Sequence, residues 1–274
     1  MKHILTVLFV MLFQALSFGQ QTPKFQFIRN ATFILEYNGT KFLFDPMFAK
    51  KGGHYSITGK LKSPLVDLPI SENEILKNTD VVVVTHTHFD HFDEFAAKAL
   101  DKNTPVIHKS FDKKFLMDNK FTNLTQINDS LVFNNTTLIS TYAQHGSGEI
   151  LAAMGEVSGY ILKAENQPTI YIVGDAIWTQ DIYTNIKTHK PDYIVINSGG
   201  ALVPNFESTP IIMDEFQALS VLQEAKDAKV IAIHMDAIDH CATTRAILKA
   251  MATENNISNE KLLIPNDSQT LELK

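Results

Sequence analysis

The stretch VVVVTHTHFDHFDEF, residues 81–95, places three histidines and two aspartates directly behind four consecutive valines. An apolar β-branched run of this kind predicts a buried strand. If the strand continues through His86 and His88, both side chains project to the same side, because extended residues alternate. The following turn then brings Asp90 and His91 back to the same point. The spacing H-x-H-x-D-H therefore predicts a metal site, since imidazole and carboxylate groups are usual ligands of zinc, manganese and iron.

Three further donors follow later apolar strands. LISTYAQH ends at His145, TIYIVGD ends at Asp175, and KVIAIH ends at His234. A lone histidine or aspartate after a strand is commonly a cap or a surface residue. In a chain that already carries H-x-H-x-D-H, three residues in this position are candidate parts of the same site.

The rest of the chain indicates one α/β domain, residues 20–274, with the architecture of a four-layer αββα sandwich. Strand-like runs flank Asn38-Gly39, a hairpin signal, and residues 50–75 are typical of a long loop. Helices are predicted near Asp93, from Asp214 to Ala225, and from Thr243, and KLLIP is predicted as the last strand. An open doubly wound sheet is the alternative, but the early hairpins favour the sandwich.

Residues 1–19 differ from the remainder of the chain. Lys2 and His3 precede the apolar run ILTVLFVMLF, and Ser17 and Gly19 suit cleavage before Gln20. This pattern predicts a signal peptide whose apolar run is too short to span a bilayer, and hence a periplasmic or secreted protein. A buried N-terminal strand or helix is the alternative. No cysteine follows the run, so no stable membrane anchor is expected.

Composition limits the classes of partner. The 274-residue chain has 24 basic and 30 acidic residues. Cleavage of residues 1–19 would remove Lys2 and make the net charge more negative. The acidic balance, with no basic stripe, argues against nucleic acid or an anionic membrane as a partner. Cys241 is the only cysteine, so an intrachain disulfide is excluded. The oligomeric state stays open.

From about Phe25 to its end, the sequence resembles the metallo-β-lactamase superfamily, and within it the L-ascorbate-6-phosphate lactonase-like branch of metal-dependent hydrolases. The blocks that carry the resemblance are NATFILEYNGTKFLFDP, THTHFDHFD, QHGSGE, IVGDAIW and AIHMDAIDHC. The resemblance implies two divalent metal ions, zinc first, with manganese or iron as alternatives. It implies that one ion is held by His86, His88 and His145, the other by Asp90, His91 and His234, and both by Asp175.

The same resemblance implies a small-molecule substrate in which a metal-bridging hydroxide hydrolyses a lactone, ester, amide or phosphodiester bond. Asp90 would orient the nucleophile as well as bind metal. His240, six residues after His234, is a second catalytic candidate. It is interpreted as a substrate contact, a proton donor or a substitute ligand, with a hydrogen-bonded supporting histidine as the alternative.

Other residues near the motifs are weaker candidates. Asp45 is expected to support the site or a turn, Trp178 to wall a pocket or pack in the core, and Cys241 to be a small buried apolar residue. Glu149, Asp236 and Arg245 complete the set, with Arg245 either pairing with an anionic substrate or lying on the surface. Two other functions stay open: a single-iron oxidoreductase of the same fold, and a secreted metal-binding module without turnover.

Overall fold

The computed structural model describes residues 21–274, so the predicted signal peptide, residues 1–19, lies outside the described residues. The strands up to residue 133 are β1 (Lys24–Arg29), β2 (Thr32–Tyr37), β3 (Thr40–Phe44), β4 (Val81–Val83), β5 (Val106–His108), β6 (Leu124–Gln126) and β7 (Ser130–Phe133). The later strands are β8 (Thr136–Ala143), β9 (Val157–Lys163), β10 (Ile170–Ile172), β11 (Tyr193–Asn197), β12 (Lys229–Ile233), β13 (Leu262–Leu263) and β14 (Thr270–Glu272). The α-helices are α1 (Glu72–Leu76), α2 (Glu94–Ala99), α3 (Lys113–Asp118), α4 (Glu149–Met154), α5 (Gln180–His189), α6 (Glu215–Glu224) and α7 (Arg245–Glu254). Within residues 21–274, no helix has the length and apolar character needed to cross a bilayer.

The strands form two seven-stranded mixed sheets, in the orders β14-β1-β2-β3-β4-β5-β6 and β13-β12-β11-β10-β9-β8-β7. Each sheet has an antiparallel part and a parallel part. Strands β3 to β6 are parallel in the first sheet, and β10 to β13 are parallel in the second. Strand β8 runs in the same direction as β10, because both pair antiparallel with β9. The carboxyl ends of β8, β10 and β12 therefore meet at one edge of the second sheet.

The four valines of residues 81–84 show how the layers form. Val81 and Val83 pack in an apolar cluster made by both sheets, whereas Val82 and Val84 pack with residues of α1, α2 and α3. A third cluster joins the other face of the second sheet to α5, α6 and α7. Alternation along the strands thus puts one helical layer outside each sheet, and the predicted αββα sandwich is confirmed.

Local turn and cap signals place several elements as predicted. Asn38 and Gly39 have φ of 51° and 75° and form the tight turn between β2 and β3. The Asp93 carboxylate caps α2 by accepting a hydrogen bond of 2.7 Å from the Ala96 amide. The predicted long loop ends earlier than residue 75, because a capping box at Ser71 starts α1.

Three predictions about the later elements were wrong or incomplete. Helix α7 is capped by Thr244 and not by Thr243, whose hydroxyl donates a hydrogen bond to the Glu215 carboxylate instead. KLLIP is not the last strand, because β14 follows it and pairs with β1 in the other sheet. Helix α5, capped by Thr179, was not predicted.

Candidate metal centre

The H-x-H-x-D-H segment follows β4 but is not part of it. The hydrogen-bonded strand ends at Val83, so it does not continue through His86 and His88 as the prediction required. Their side chains nevertheless project to the same side as predicted, because His86 Nε2 lies 3.0 Å from His88 Nδ1. The chain turns after His88, where the amides of His91 and Phe92 both donate hydrogen bonds of 2.9 Å to the His88 carbonyl. This turn brings Asp90 and His91 back towards the two rings.

The other three predicted donors lie where strands of the second sheet end. His145 follows β8, Asp175 follows β10, and His234 directly follows β12. Gly174 has φ of 75°, and a Cβ atom there would lie 2.8 Å from the Ser158 carbonyl oxygen. Only glycine fits that position without a steric clash, and it turns the chain so that Asp175 enters the site.

The structure brings all seven predicted donors together in one buried cluster. Asp175 lies at its centre: its Oδ2 is 3.1 Å from His91 Nε2 and 3.5 Å from His145 Nε2, and its Oδ1 is 3.8 Å from His234 Nε2. Three groups of donor atoms lie close enough to hold a metal ion: His86, His88 and His145; His86, His91 and Asp175; and Asp90, His91 and His234. The donor cluster is defined here as His86, His88, Asp90, His91, His145, Asp175 and His234.

Hydrogen bonds on the outer side orient two of the histidines. Asp45 Oδ2 lies 2.8 Å from His91 Nδ1, and His145 Nδ1 lies 2.8 Å from the Ile211 carbonyl oxygen that accepts from it. Each of these rings therefore turns its Nε2 towards the cluster, as metal-binding histidines do. Asp45 also accepts hydrogen bonds from the amide and hydroxyl of Thr85, at 2.8 Å and 2.6 Å. Its predicted supporting position is confirmed.

Cys241 contacts His234, a third histidine of the donor cluster, from the outer side. Its Sγ lies 3.7 Å from His234 Nδ1, and a Cβ atom on Gly199 would come within 2.7 Å of the sulfur. Burial raises the pKa of the Cys241 thiol, so it is protonated at neutral pH. The prediction of a small buried apolar residue is confirmed in part: Cys241 packs against an apolar cluster that includes Ala201 and Ile212, but it is only half-buried and its sulfur also contacts His234.

The carboxylates make the centre of the cluster favourable for positive charge. Burial alone would raise the pKa of Asp175, but the rings of His91, His234 and His145 outweigh it and hold the pKa well below its ordinary value. Burial would likewise lower the pKa of His91, but Asp175 and Asp45 outweigh it and raise the pKa to about 10. The cluster thus stabilises a cation at this position, whether a proton or a metal ion.

The two predicted catalytic residues lie at the solvent side of the cluster. Asp90 Oδ2 is 3.2 Å from His234 Nε2, and the Asn30 amide donates a hydrogen bond of 2.9 Å to the Asp90 carbonyl. His240 lines the same cavity as Asp90 and is 8% exposed. Its buried Nδ1 has no hydrogen-bond partner within the described residues.

The weaker candidates lie away from the donors. Arg245 forms ion pairs with Asp236, at 3.1 Å, and with Asp267. Neither Arg245 nor Asp236 lines the cavity beside the donors. Trp178 packs against the helical side of the second sheet, and Glu149 is the first residue of α4.

Sequence reasoning missed Asn30 and Asn197. Asn30 Nδ2 lies 3.2 Å from His234 Nε2, and Asn197 Nδ2 donates a hydrogen bond of 2.6 Å to Asp175 Oδ1. Asn197 ends an apolar strand, YIVIN, so the rule that found Asp175 also applies to it. Asn30, between two strands, looks like an ordinary turn residue in the sequence.

Sequence comparison identifies the family. Residues 40–235 match the model of the beta-lactamase superfamily domain. The UPF0173 protein YddR of Bacillus subtilis is 36% identical over 249 residues, which cover 89% of this chain and 97% of that protein. A UPF0173 metal-dependent hydrolase of Sulfolobus acidocaldarius is 26% identical over 225 residues, covering 79% and 86% of the two chains.

Two solved structures agree closely with this one. A possible metal-dependent hydrolase from Veillonella parvula superposes with a TM-score of 0.88 at 34% identity, covering 92% of this chain and all of that one. The isothiocyanate hydrolase from Delia radicum gut bacteria superposes with a TM-score of 0.86 at 35% identity, covering 90% and 98%. The finer resemblance to the lactonase-like branch stays a prediction. The chain belongs to the beta-lactamase superfamily, and the protein is a metal-dependent hydrolase.

Proposed function

We propose that the donor cluster holds two divalent metal ions, zinc first, with manganese or iron as alternatives. One would be held by His86, His88 and His145, the other by Asp90, His91 and His234, and Asp175 would bind both. Facing ring nitrogens support the proposal: His86 Nε2 lies 3.0 Å from His88 Nδ1, and His91 Nε2 lies 3.2 Å from His234 Nε2. Two unprotonated nitrogens this close repel each other unless a proton or a metal ion lies between them.

The cavity beside the cluster favours an uncharged substrate. It has a volume of about 540 Å³, and its apolar wall includes Ile57, Met154, Val203 and Ile211. Among the described residues, no lysine or arginine lines it. A phosphorylated lactone or a phosphodiester would find no cationic side chain there. We therefore favour attack on an uncharged carbon over attack on phosphorus.

We propose isothiocyanate hydrolysis as the first activity to test. A relative of 35% identity, 98% covered by this chain, is named an isothiocyanate hydrolase. In this reaction one water adds to the central carbon of R–N=C=S and gives R–NH–C(=S)–OH. The bond between nitrogen and this central carbon then breaks, and the hydroxyl proton passes to nitrogen, which yields R–NH₂ and carbonyl sulfide. Uncharged lactones and esters are the next substrates in order.

Bound divalent ions would lower the pKa of a water molecule and polarise the electrophile. The chain's own groups then complete the site. Burial would raise the pKa of Asp90, but His234 and His91 outweigh it and hold the pKa well below its ordinary value, so the carboxylate accepts a hydrogen bond from the attacking water. His240, which lines the cavity, would donate a hydrogen bond and a proton to the leaving nitrogen or oxygen.

The combination that carries this function is a buried donor cluster open to an apolar cavity without cationic residues. The test is turnover of isothiocyanates, lactones, esters and a phosphodiester by protein whose metal content is measured. The expected result is turnover of an uncharged substrate, lost in His88→Ala and kept in the control His189→Ala, which alters a histidine at the end of α5.

Other results of that panel would favour the competing functions. Two bound metals with no turnover on any substrate would favour a metal-binding module. One bound iron with oxygen consumption would favour an oxidoreductase, and preferred turnover of the phosphodiester would contradict the uncharged-substrate proposal.

We also propose that the protein is exported after cleavage near Gln20. The support is the sequence of residues 1–19, with its basic start, apolar run and small residues before the cleavage point. N-terminal sequencing of protein from the periplasm or medium should begin at about Gln20. Protein that retains Met1 or Lys2 and stays with the cytoplasm would contradict export.

A further inference from the structure

The mouth of the cavity is formed in part by a strap, defined here as residues 54–63 of the long loop between β3 and α1. Tyr55, Ser56 and Ile57 of this strap line the cavity that opens onto the donor cluster. The ring of Tyr55 lies 4.9 Å from that of Phe89, which stands between His88 and Asp90 in the chain. Two aromatic rings therefore lie directly beside the donors.

Tyr55 is exposed, although the chain on both sides of it is held. Its side chain belongs to the large apolar groups left open to solvent, with 62% of the residue exposed. On one side, His54 is buried, and its Nε2 lies 3.2 Å from the Asp93 carboxylate. On the other side, the Ser56 hydroxyl donates a hydrogen bond of 2.5 Å to Asp239 Oδ2. An exposed aromatic ring on a fixed backbone is preorganised for a ligand.

Asp239 fastens the strap to the wall that carries His240. Its carboxylate also accepts hydrogen bonds from the Ile57 amide at 3.0 Å and from the amide and hydroxyl of Thr58 at 3.1 Å and 2.6 Å. The Ser63 hydroxyl donates a further one, of 3.3 Å. Burial alone would raise the pKa of Asp239, but these hydrogen bonds outweigh it and lower the pKa to about 2. The Asp239 carboxylate, which fastens the strap, is therefore an anion at any working pH.

We propose that Tyr55 and Phe89 form an aromatic clamp that selects substrates with an apolar, above all aromatic, substituent, and that Asp239 positions this clamp. The clamp rests on the proposed hydrolysis of an uncharged substrate and adds which substituent is preferred. The two rings contact each other, so a flat apolar group would lie against the exposed face of Tyr55 beside Phe89, and not between the rings. Offset or edge-to-face contacts of this kind stabilise aromatic groups specifically.

The test compares benzyl isothiocyanate with methyl isothiocyanate in the metal-loaded protein. Tyr55→Ala should raise KM for the benzyl compound about tenfold and leave KM for the methyl compound within about twofold. Tyr55→Phe should behave as the unchanged protein. Leu61→Ala is the matched control, since Leu61 is an equally exposed residue (61%) of the same strap that does not line the cavity.

Binding of 2-phenylethanol, which has no bond for the enzyme to hydrolyse, separates failure of the clamp from failure of the proposed function. If neither isothiocyanate is turned over, the proposed activity is wrong, but about tenfold weaker binding of 2-phenylethanol to Tyr55→Ala than to Leu61→Ala would still support the clamp. Equal effects of Tyr55→Ala on both isothiocyanates, or binding of 2-phenylethanol that the variant leaves unchanged, would overturn it.

Discussion

The donor cluster and the strap lie on either side of the same cavity but are held in opposite ways. Six of the seven donors are at most 6% exposed, and outer groups such as Asp45 and Asn197 hold them from behind. The strap exposes Tyr55 and Leu61 to solvent and relies on a single carboxylate, Asp239, for most of its side-chain hydrogen bonds to the rest of the protein.

This difference separates the chemistry of the site from the choice of substrate. Many polar contacts fix the donors, so changes in the donor cluster should lower turnover of every substrate alike. The strap is fixed mainly by Asp239, which is not one of the donors, so changes there should alter the ratio between substrates and leave the metal content unchanged. The four predictions that follow either break or sharpen this contrast.

The largest effect is expected for Asp175→Asn. The change is nearly isosteric, but it removes the charge that offsets repulsion between two cations. We expect loss mainly of the second metal and a fall in turnover of at least ~100-fold for every substrate. Metal analysis and steady-state rates check this. Two bound metals with near-normal rates would move the bridging position away from Asp175.

His240→Asn should lower turnover by about 100-fold, the lower end of the range for loss of a general acid. Both metals should stay bound, because His240 is not one of the donors. Metal content measured beside kcat separates the roles. A variant that loses one metal equivalent would make His240 a ligand, and one with an unchanged rate would make it a supporting residue.

Asp45→Asn should weaken metal binding by about 10-fold to 100-fold, the usual loss when a group behind a ligand is changed. The Nδ1 atom of His91 would face an amide in place of a carboxylate at 2.8 Å. Competition with a chelator of known affinity measures the change. Asp118→Asn, at an exposed residue of α3, is the control, and equal affinities in both variants would contradict the prediction.

The smallest effect is expected for Asp239→Asn. The amide oxygen of asparagine can still accept some of the strap's hydrogen bonds, so KM for benzyl isothiocyanate should rise only a few-fold. The metal content and KM for methyl isothiocyanate should stay unchanged. Hydrogen exchange of the amides of Ile57 and Thr58 should become faster, since both donate to Asp239. A loss of metal here would contradict the separation of cluster and strap.

The donor cluster was predictable because its signals are local. H-x-H-x-D-H falls within six residues, and Asp175 and His234 each directly follow an apolar run. Even so, the strand that was expected to continue through His86 and His88 ends at Val83, although the two side chains still converge. A strand end cannot be fixed from sequence to within two residues.

The strap and the supporting residues were not predictable, because they depend on contacts between distant parts of the chain. Asp239 meets Ser56 across 183 positions, and Asn30 meets His234 across 204. Strand β14 was missed for the same reason, since the pairing of Thr270–Glu272 with β1 comes from backbone hydrogen bonds without an apolar pattern. The contact between the Cys241 sulfur and His234 was also missed, because only the fold brings the two together.

The central claim is that the donor cluster holds two metal ions that are both needed for turnover. The most direct test removes metal with a chelator, adds zinc back in measured steps, and follows bound zinc and activity together. We predict two equivalents bound per chain, with full activity only when both are present. Full activity at one equivalent or fewer, with no further binding, would contradict the account.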